Sequence, residues 1–459
     1  MLLFYSNAEQ YQFTYKEKSV MALKVAKFGG SSLADASQFR KVAAIVKSCS
    51  ERRYVVPSAP GKRFGSDTKV TDMLYKCYDD VQRGIDFDSA FAGIKARFDE
   101  IISDLSLDLS LEEEYAVIKN NFASDCGRDY AASRGEYLNG IILAKFVDFP
   151  FVDAADVVFF TEQGTLDGER SYQAVADMAA KYEYAVIPGF YGRAFDGKIK
   201  TFSRGGSDIS GSIVARGVNA SLYENWTDVS GFLVADPRIV EKPQVIDVVT
   251  FRELRELSYM GATVLHEDAI FPVRAAGIPI NIKNTNSPED PGTMIVSARS
   301  TSVKTGFITG IAGKKGFSVI TLEKDMMNQE IGFAKRALEV FEKNNISFEH
   351  LPSGIDTMGI VVNSDVIQNI EKQLVADIKK AVTPDSIEVI HGLALIAVVG
   401  RGMVRSKGLA ARVFTAIANA GINIRMIDQG SSELNIIIAV DEFDFNAALN
   451  AIYSEFFSE

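Results

Sequence analysis

A lysine ahead of a glycine pair can hold phosphate, and the chain carries one at Lys27-Phe28-Gly29-Gly30-Ser31-Ser32. The glycines let backbone approach a ligand closely, N–H groups at the start of a following helix attract an anion, and the lysine adds a mobile positive charge. The same residues also suit a tight turn with a solvated lysine. The spacing is not the G-x-G-x-x-G of a dinucleotide site, and G-x-x-x-x-G-K-[ST] occurs nowhere, so a nucleotide would be held in another way. A second cluster, Thr201-Phe202-Ser203-Arg204-Gly205-Gly206-Ser207-Asp208, again places a glycine pair before a helical stretch. Arg204 offers a planar fork for a carboxylate or phosphate, and Asp208 could orient a lysine or approach a metal. Ser207 or Asp208 is equally suited to capping the helix.

Weaker signals lie around these two. In Ser133-Arg134-Gly135-Glu136 a carboxylate stands at the expected start of an apolar helix beginning Tyr137, where its ordinary role is a solvated cap. Thr227 and Asp228 follow the strand-like Leu222–Trp226 and suit a nucleotide, with Arg238 of Ala235-Asp236-Pro237-Arg238 reaching phosphates; a capped turn with a surface arginine fits them as well. His266, His350 and His391 are the only histidines and show no metal-ligand spacing, so the chemistry is expected to run without a histidine base. Cys49, Cys77 and Cys126 lie far apart with no C-x-x-C, which suggests neither a disulfide framework nor zinc and fits a reducing cytoplasm.

The elements that must position these groups alternate. Ala22–Ala26 reads as a strand, and Phe39, Val42, Ala43 and Val46 mark one face of the helix after it. Arg53–Val56 runs into Pro57-Ser58-Ala59-Pro60-Gly61, and Tyr184–Ile187 into Pro188-Gly189-Phe190-Tyr191-Gly192. The pattern predicts an α/β domain with a largely parallel sheet, whose ligands bind beyond the carboxyl ends of the strands. Lys62–Thr71 reads as a polar loop, and Phe91–Asn121 as a charged, mostly helical excursion. Residues 1–20 lack periodicity and read as a tail, or as an upstream start ahead of Met21. With 459 residues, 47% of them hydrophobic, two or more domains with proper cores are expected. The formal charge of −11 argues against a general nucleic-acid binder. No apolar run reaches the ~18 residues of a spanning helix, and no secretory signal is visible, so neither membrane nor export is expected.

After the turn-rich Asn286–Gly292 the composition changes, and a boundary is expected near Ser300 to Gly310. Beyond it the chain repeats itself. Ala334, Ala337, Leu338 and Phe341, following Gly332, map onto Ala410, Val413, Phe414 and Ile417, following Gly408. Strands are expected before each helix, at Phe317–Leu322 and Leu395–Val399, and after each, beyond Ile346 and Ile422, which describes two small ferredoxin-like modules. Glu349 in the first copy stands where the second has Arg425. If a small ligand binds there, the first copy suits a cation; a solvated strand residue is the alternative.

With these residues together, the chain resembles the aspartate kinases of the amino acid kinase family along nearly its full length from Met21. The motifs that carry the resemblance are Lys27–Ser32, Val56-Pro57-Ser58-Ala59, Ser133–Glu136, Phe202–Asp208, and Thr227-Asp228-Val229 through Asp236-Pro237-Arg238, while the repeat looks like paired ACT modules. The resemblance implies a catalytic domain over 21–305, a first ACT domain over 306–390 and a second over 391–459, with strands open to exchange between the two. It implies transfer of the γ-phosphoryl of ATP to the side-chain carboxylate of aspartate, the first step towards lysine, threonine and methionine. An acceptor that is already an anion explains the missing histidine base.

Position by position, the resemblance implies that Lys27 bridges the phosphates, that Gly29, Gly30 and Ser31 line the nucleotide, and that Asp208 holds Lys27 or the metal shell, with Ser207 in the same pocket. Arg204, with Gly205, would grip the α-carboxylate of aspartate, Glu136 its α-ammonium, and Ser58 and Thr71 would complete that pocket. Thr227, Asp228 and Arg238 would hold ATP, and magnesium would be carried by phosphates and waters without a side-chain ligand set. Two departures stand out. Thr263 replaces a lysine usual near the nucleotide, and Pro57 replaces a β-branched residue. Lysine as feedback effector would meet Met327, Gly332, Phe333, Ala334, Ser347, Phe348 and Glu349, in a dimer built through the ACT modules, with a tetramer left open. The competing expectations are a sister kinase acting on glutamate, acetylglutamate or a nucleotide, and a silent amino-acid sensor.

Overall fold

A computed structural model describes residues 22–124, 126–203, 205–261, 265, 267–298 and 306–457. The expected tail, Arg204, Thr263, His266 and most of the expected boundary lie outside the described residues.

Burial of both faces is what a central parallel strand requires, and β1 (Lys24–Phe28) has it. Val25 enters one core while Ala26 and Phe28 enter the core on the other face. The elements that follow are α1 (Ala36–Lys47), β2 (Arg52–Pro57), α2 (Val70–Gln82), α3 (Asp88–Asp104), α4 (Glu112–Ala123), α5 (Arg128–Val147), α6 (Gly168–Lys181), β3 (Ala185–Val186), the hairpin β4 (Tyr191–Arg193) and β5 (Ile199–Thr201), α7 (Gly206–Gly217) and β6 (Leu222–Thr227). Then come β7 (Val248–Thr250), α8 (Phe251–Tyr259), α9 (Phe271–Ala276), β8 (Ile280–Asn284) and β9 (Thr293–Val296). The sheet order is β3-β2-β1-β6-β8-β9-β7, parallel throughout except between β8 and β9. Residues of α1, α2 and α5 fill the core on one face and residues of α6 and α7 the other, giving the three-layer α/β domain that the alternation predicts.

Three local expectations are corrected. The glycine pair after β1 feeds a single 3-10 turn, Gly30–Leu33, and α1 starts only at Ala36 with Asp35 as its cap. Ser133–Glu136 does not open a helix: α5 runs from Arg128, so Glu136 sits in its interior and is 5% exposed. Neither Ser207 nor Asp208 caps α7, whose N-cap is Gly205 at φ 56° with no side-chain bond.

The C-terminal third is a five-stranded antiparallel sheet in the order β11-β10-β12-β14-β13. Its elements are β10 (Gly310–Glu323), α10 (Phe333–Lys343), β11 (Thr357–Asn363), α11 (Ser364–Ile367), α12 (Glu371–Val382), β12 (Ser386–Val399), α13 (Leu409–Asn419), β13 (Met426–Asp428), β14 (Asn435–Asp441) and α14 (Phe445–Phe457). Gly332 at φ 82° and Gly408 at φ 83° begin α10 and α13, so the sequence repeat is also a backbone repeat. The strand expected after α10 is reduced to two isolated bridges, His350 with Val361 and Ser353 with Met358. β10 and β12, fourteen residues each, pair on both sides of a register shift at Lys315–Val319 and pass through both cores: Ile320 and Leu322 pack with α10 and α12, Ile311 and Ala394 with α13 and α14.

One buried carboxylate ties this third to the first two. Glu253 of α8 completes a capping box with Thr250 through Oε2, while its Oε1 accepts the Thr309 hydroxyl and the Arg401 N–H, each at 2.7 Å. A fully buried carboxylate is tolerable because every one of these donors replaces a lost water.

Candidate active site

Alternation along β1 points Lys27 to the same side as Val25, the side covered by α7. Its Nζ lies 2.6 Å from Asp208 Oδ1, in the first turn of α7, and Asn225 Nδ2 of the neighbouring β6 donates to the same oxygen at 2.9 Å. The ammonium is therefore aimed along the carboxyl ends of β1 and β6, with its residue only 7% exposed. Gly29 N donates to Trp226 O at 2.9 Å, and Gly61 N to Gly30 O at 2.8 Å, so the turns after β1 and β2 touch backbone to backbone. A Cβ on Gly61 would stand 2.6 Å from Gly30 C, which backbone cannot accommodate without shifting. Gly61→Ala is expected to lower kcat/KM for both substrates at least about tenfold, because both turns move together; kinetics on the folded variant check it.

The second half of the pocket is built on α5. Gly135 lets that helix press onto the turn after β2, where a Cβ would meet Ala59 Cβ at 2.8 Å. Glu136 then faces the Ala59 N–H, and Asn139 Nδ2 donates to Ser58 O at 2.6 Å. Burial pushes the Glu136 carboxyl up to about 8, opposed by the Ala59 N–H, and among the described residues its Oε2 has no hydrogen-bond partner. Ser58 and Thr71, the second residue of α2, are half-buried. Gly205 and Ser207 lie at the start of α7, where Ser207 packs so closely on Gly189 that a Cβ there would be 2.7 Å away.

On the nucleotide side, Ser31 and Asp228 are exposed and Thr227 is half-buried. Thr285 links the two loops, donating its N–H to Thr227 O at 2.8 Å and sharing a 2.7 Å bond with the Ser32 hydroxyl. Arg238 is 85% exposed and ion-paired to Asp236 of its own turn at 2.6 Å, so here it serves that turn. Among the described residues no cluster of His, Cys, Asp and Glu is placed to hold a metal ion.

Sequence reasoning missed three contributors. Asn225 is signalled only by being an amide in the middle of a strand, where it is itself buried. Phe190 adopts φ 78°, costly for a side chain with Cβ, with its N–H bound to Ser210 Oγ at 2.9 Å and its ring where a Cβ on Gly206 would be. Arg134, 5% exposed, is stacked among Tyr130, Tyr137 and Tyr191 at 4.5, 4.4 and 5.2 Å.

The expected effector residues separate. Met327 and Phe333 are buried in the core of the first module and do not face a ligand from outside. Gly332 and Ala334 are exposed at the start of α10. Ser347 and Phe348 line an open cavity of about 620 Å³ with Lys335 and Leu338. The Glu349 carboxylate accepts the hydroxyl of Tyr259, the last residue of α8 in the first domain.

The amino acid kinase family model matches residues 22–284, and an ACT domain model matches 396–456. Aspartokinase 3 of Bacillus subtilis is 38% identical over 451 residues, covering 95% of this chain and 99% of that protein. The crystal structure of Clostridium acetobutylicum aspartate kinase superposes with a TM-score of 0.88 at 51% identity, covering 96% of this chain and all of that one. E. coli aspartokinase III, solved in complex with lysine and aspartate, superposes with a TM-score of 0.72 over 95% of this chain and all of its own, and at 23% identity shows the shared fold alone. A family model spanning more than half the chain, and a full-length relative at this identity, show that the chain belongs to the amino acid kinase family, among its aspartokinases.

Proposed function

We propose that this chain transfers the γ-phosphoryl group of ATP to the β-carboxylate of L-aspartate, giving 4-phospho-L-aspartate and ADP. The observation that carries the reading is the Lys27–Asp208 pair at the strand ends, joined through the touching turns after β1 and β2 to a buried, half-satisfied Glu136. A β-carboxylate oxygen attacks the γ-phosphorus in line and the bond to the ADP oxygen breaks; the nucleophile is already ionised, so no base is needed. Lys27 bridges the phosphates and meets the charge that spreads over them, and Asp208 with Asn225 fixes its direction. Glu136 receives the α-ammonium, Arg204 and Gly205 the α-carboxylate, and Ser58 and Thr71 close the aspartate pocket. Gly29, Gly30, Ser31, Ser207, Thr227 and Asp228 line ATP, and Arg238 joins them on leaving Asp236. Magnesium would be held by the ATP phosphates and waters and would supply charge neutralisation there, since Asp208, the carboxylate beside Lys27, is already engaged by that lysine and by Asn225.

The domain borders of 21–305, 306–390 and 391–459 belong to the same reading, as do a cytoplasmic home and a dimer through the ACT modules. No helix among the described residues is long and apolar enough to cross a membrane. Lysine is the effector of this reading. It is supported by the carboxylate of Glu349, where the second module has Arg425, and by the lysine complex of the E. coli relative. The side-chain ammonium of lysine competes there with the Tyr259 hydroxyl.

Aspartate-dependent ADP release from ATP and magnesium tests the catalytic part; activity with glutamate or acetylglutamate but not aspartate refutes it. Millimolar lysine is expected to suppress the wild-type rate and to act at least about tenfold more weakly on Glu349→Ala. Unchanged inhibition of that variant removes Glu349 from the effector site and leaves the kinase standing.

A further inference from the structure

The α3–α4 excursion looks dispensable to the chemistry, yet it sends one buried guanidinium back to the active-site turns. Arg97 of α3 is 4% exposed. Its Nη2 donates to Ala34 O at 3.0 Å and to Gly61 O at 2.8 Å, while its Nη1 lies 2.7 Å from Asp67 Oδ2. Ala34 ends the Gly30–Leu33 turn of the phosphate side, and Gly61 is the residue whose N–H holds Gly30 O. Asp67 belongs to the otherwise exposed segment 62–69, which separates Ser58 from Thr71. The same aspartate accepts the N–H and Nε of Arg63, whose Nη1 reaches Glu100 on α3. A buried cation is costly unless its donors are engaged, and a planar fork spreads its N–H groups widely enough to join a carboxylate and two carbonyls at once, leaving only Nε without a partner among the described residues.

We infer that Arg97 is a positioning residue for phosphoryl transfer, with Asp67 as its counterpart: together they fix the phosphate turn against the aspartate turn and anchor the segment between Ser58 and Thr71. The inference rests on the site reading above and deepens it. Arg97 touches no substrate; it acts through the backbone of Ala34 and Gly61. The two contacts divide the labour. Losing Asp67 frees the segment beside the aspartate pocket and leaves both carbonyl bonds in place. Losing Arg97 frees all three.

The test uses the full chain, with kcat and KM for each substrate and a melting curve for every variant. Asp67→Asn is expected to raise KM for aspartate about tenfold, with kcat and KM for ATP within about twofold and melting little changed. Arg97→Met is expected to lower kcat about 10- to 100-fold and raise both KM values, and Arg97→Lys not to restore them, since an ammonium cannot span the three acceptors. Wild-type constants in Asp67→Asn together with wild-type constants in the Arg97 variants, even with lowered melting, overturn the inference by making Arg97 merely structural. If Arg97→Met does not fold, the KM split of Asp67→Asn decides alone. Lys27→Ala is measured beside them: full activity there overturns the site reading and the inference with it, whereas an inactive Lys27→Ala with wild-type Asp67→Asn and Arg97→Lys overturns the inference only.

Discussion

Replacing Lys27 by alanine is expected to lower kcat about 10²- to 10³-fold, the usual loss when one preorganised donor to transition-state charge is removed. Lys27 is 7% exposed and its ammonium is held 2.6 Å from Asp208, so it acts in a water-poor site and needs no reorganisation as charge moves from the γ-phosphoryl to ADP. Because the interaction strengthens in the transition state, KM for ATP should change much less than kcat. Asp208→Asn should also lower kcat, and the double variant should cost less than the sum, since the two groups form one unit with Asn225. Kinetics at saturating ATP, aspartate and magnesium measure it. A Lys27→Ala enzyme within about threefold of wild type would sink the mechanism.

Glu136→Gln should be more stable than wild type and nearly unable to use aspartate. Burial raises the carboxyl from its ordinary 4.5 to about 8, and the Ala59 N–H, its own N–H and the Arg134 charge together do not offset the lost hydration. A carboxyl with a raised folded-state value favours folding fully only below its unfolded value, and that stability drains away as pH climbs through the folded value. The amide pays no such cost, so the melting advantage of Glu136→Gln should widen by roughly 2 kcal/mol, a few degrees, between pH 6 and pH 9. The charge is kept for the substrate: an α-ammonium at the open Oε2 makes ionisation favourable. In wild type, kcat/KM for aspartate should rise towards a plateau above about pH 8, while the variant should be lower by about 10²-fold or more with a flat profile. A pH-independent wild-type kcat/KM between 6 and 9 would rule this out.

What could be read from sequence was local. Lys27, the glycine pairs and Asp208 stand in short segments whose chemistry is complete within a few residues, and alternating strands and helices were enough to anticipate the parallel sheet. What could not be read depends on partners far along the chain. Glu136 was mistaken for a helix edge because the first turns of α5, Arg128–Ser133, mix charged and small residues and show no apolar periodicity from which an earlier start could be read. Asn225 and Arg97 acquire meaning only when β6 lies beside β1 and α3 folds back onto residue 61. Met327 and Phe333 sit at positions that a repeat can align but not assign to inside or outside. The periodicity that revealed the paired modules likewise could not tell which strand each helix would cover, since both faces of β10 and β12 are apolar for long runs.

Those two long strands make the regulatory third a single piece of material. A chain cut after Ile390 would leave Gly310–Lys315 without the strand it pairs with, a bare edge that invites association with other chains. Neither module can be lent to another protein, lost by a simple deletion, or melted by itself. A force applied to one is carried into the other along two continuous strands, whose pairing shifts register at Lys315–Val319, between the two cores.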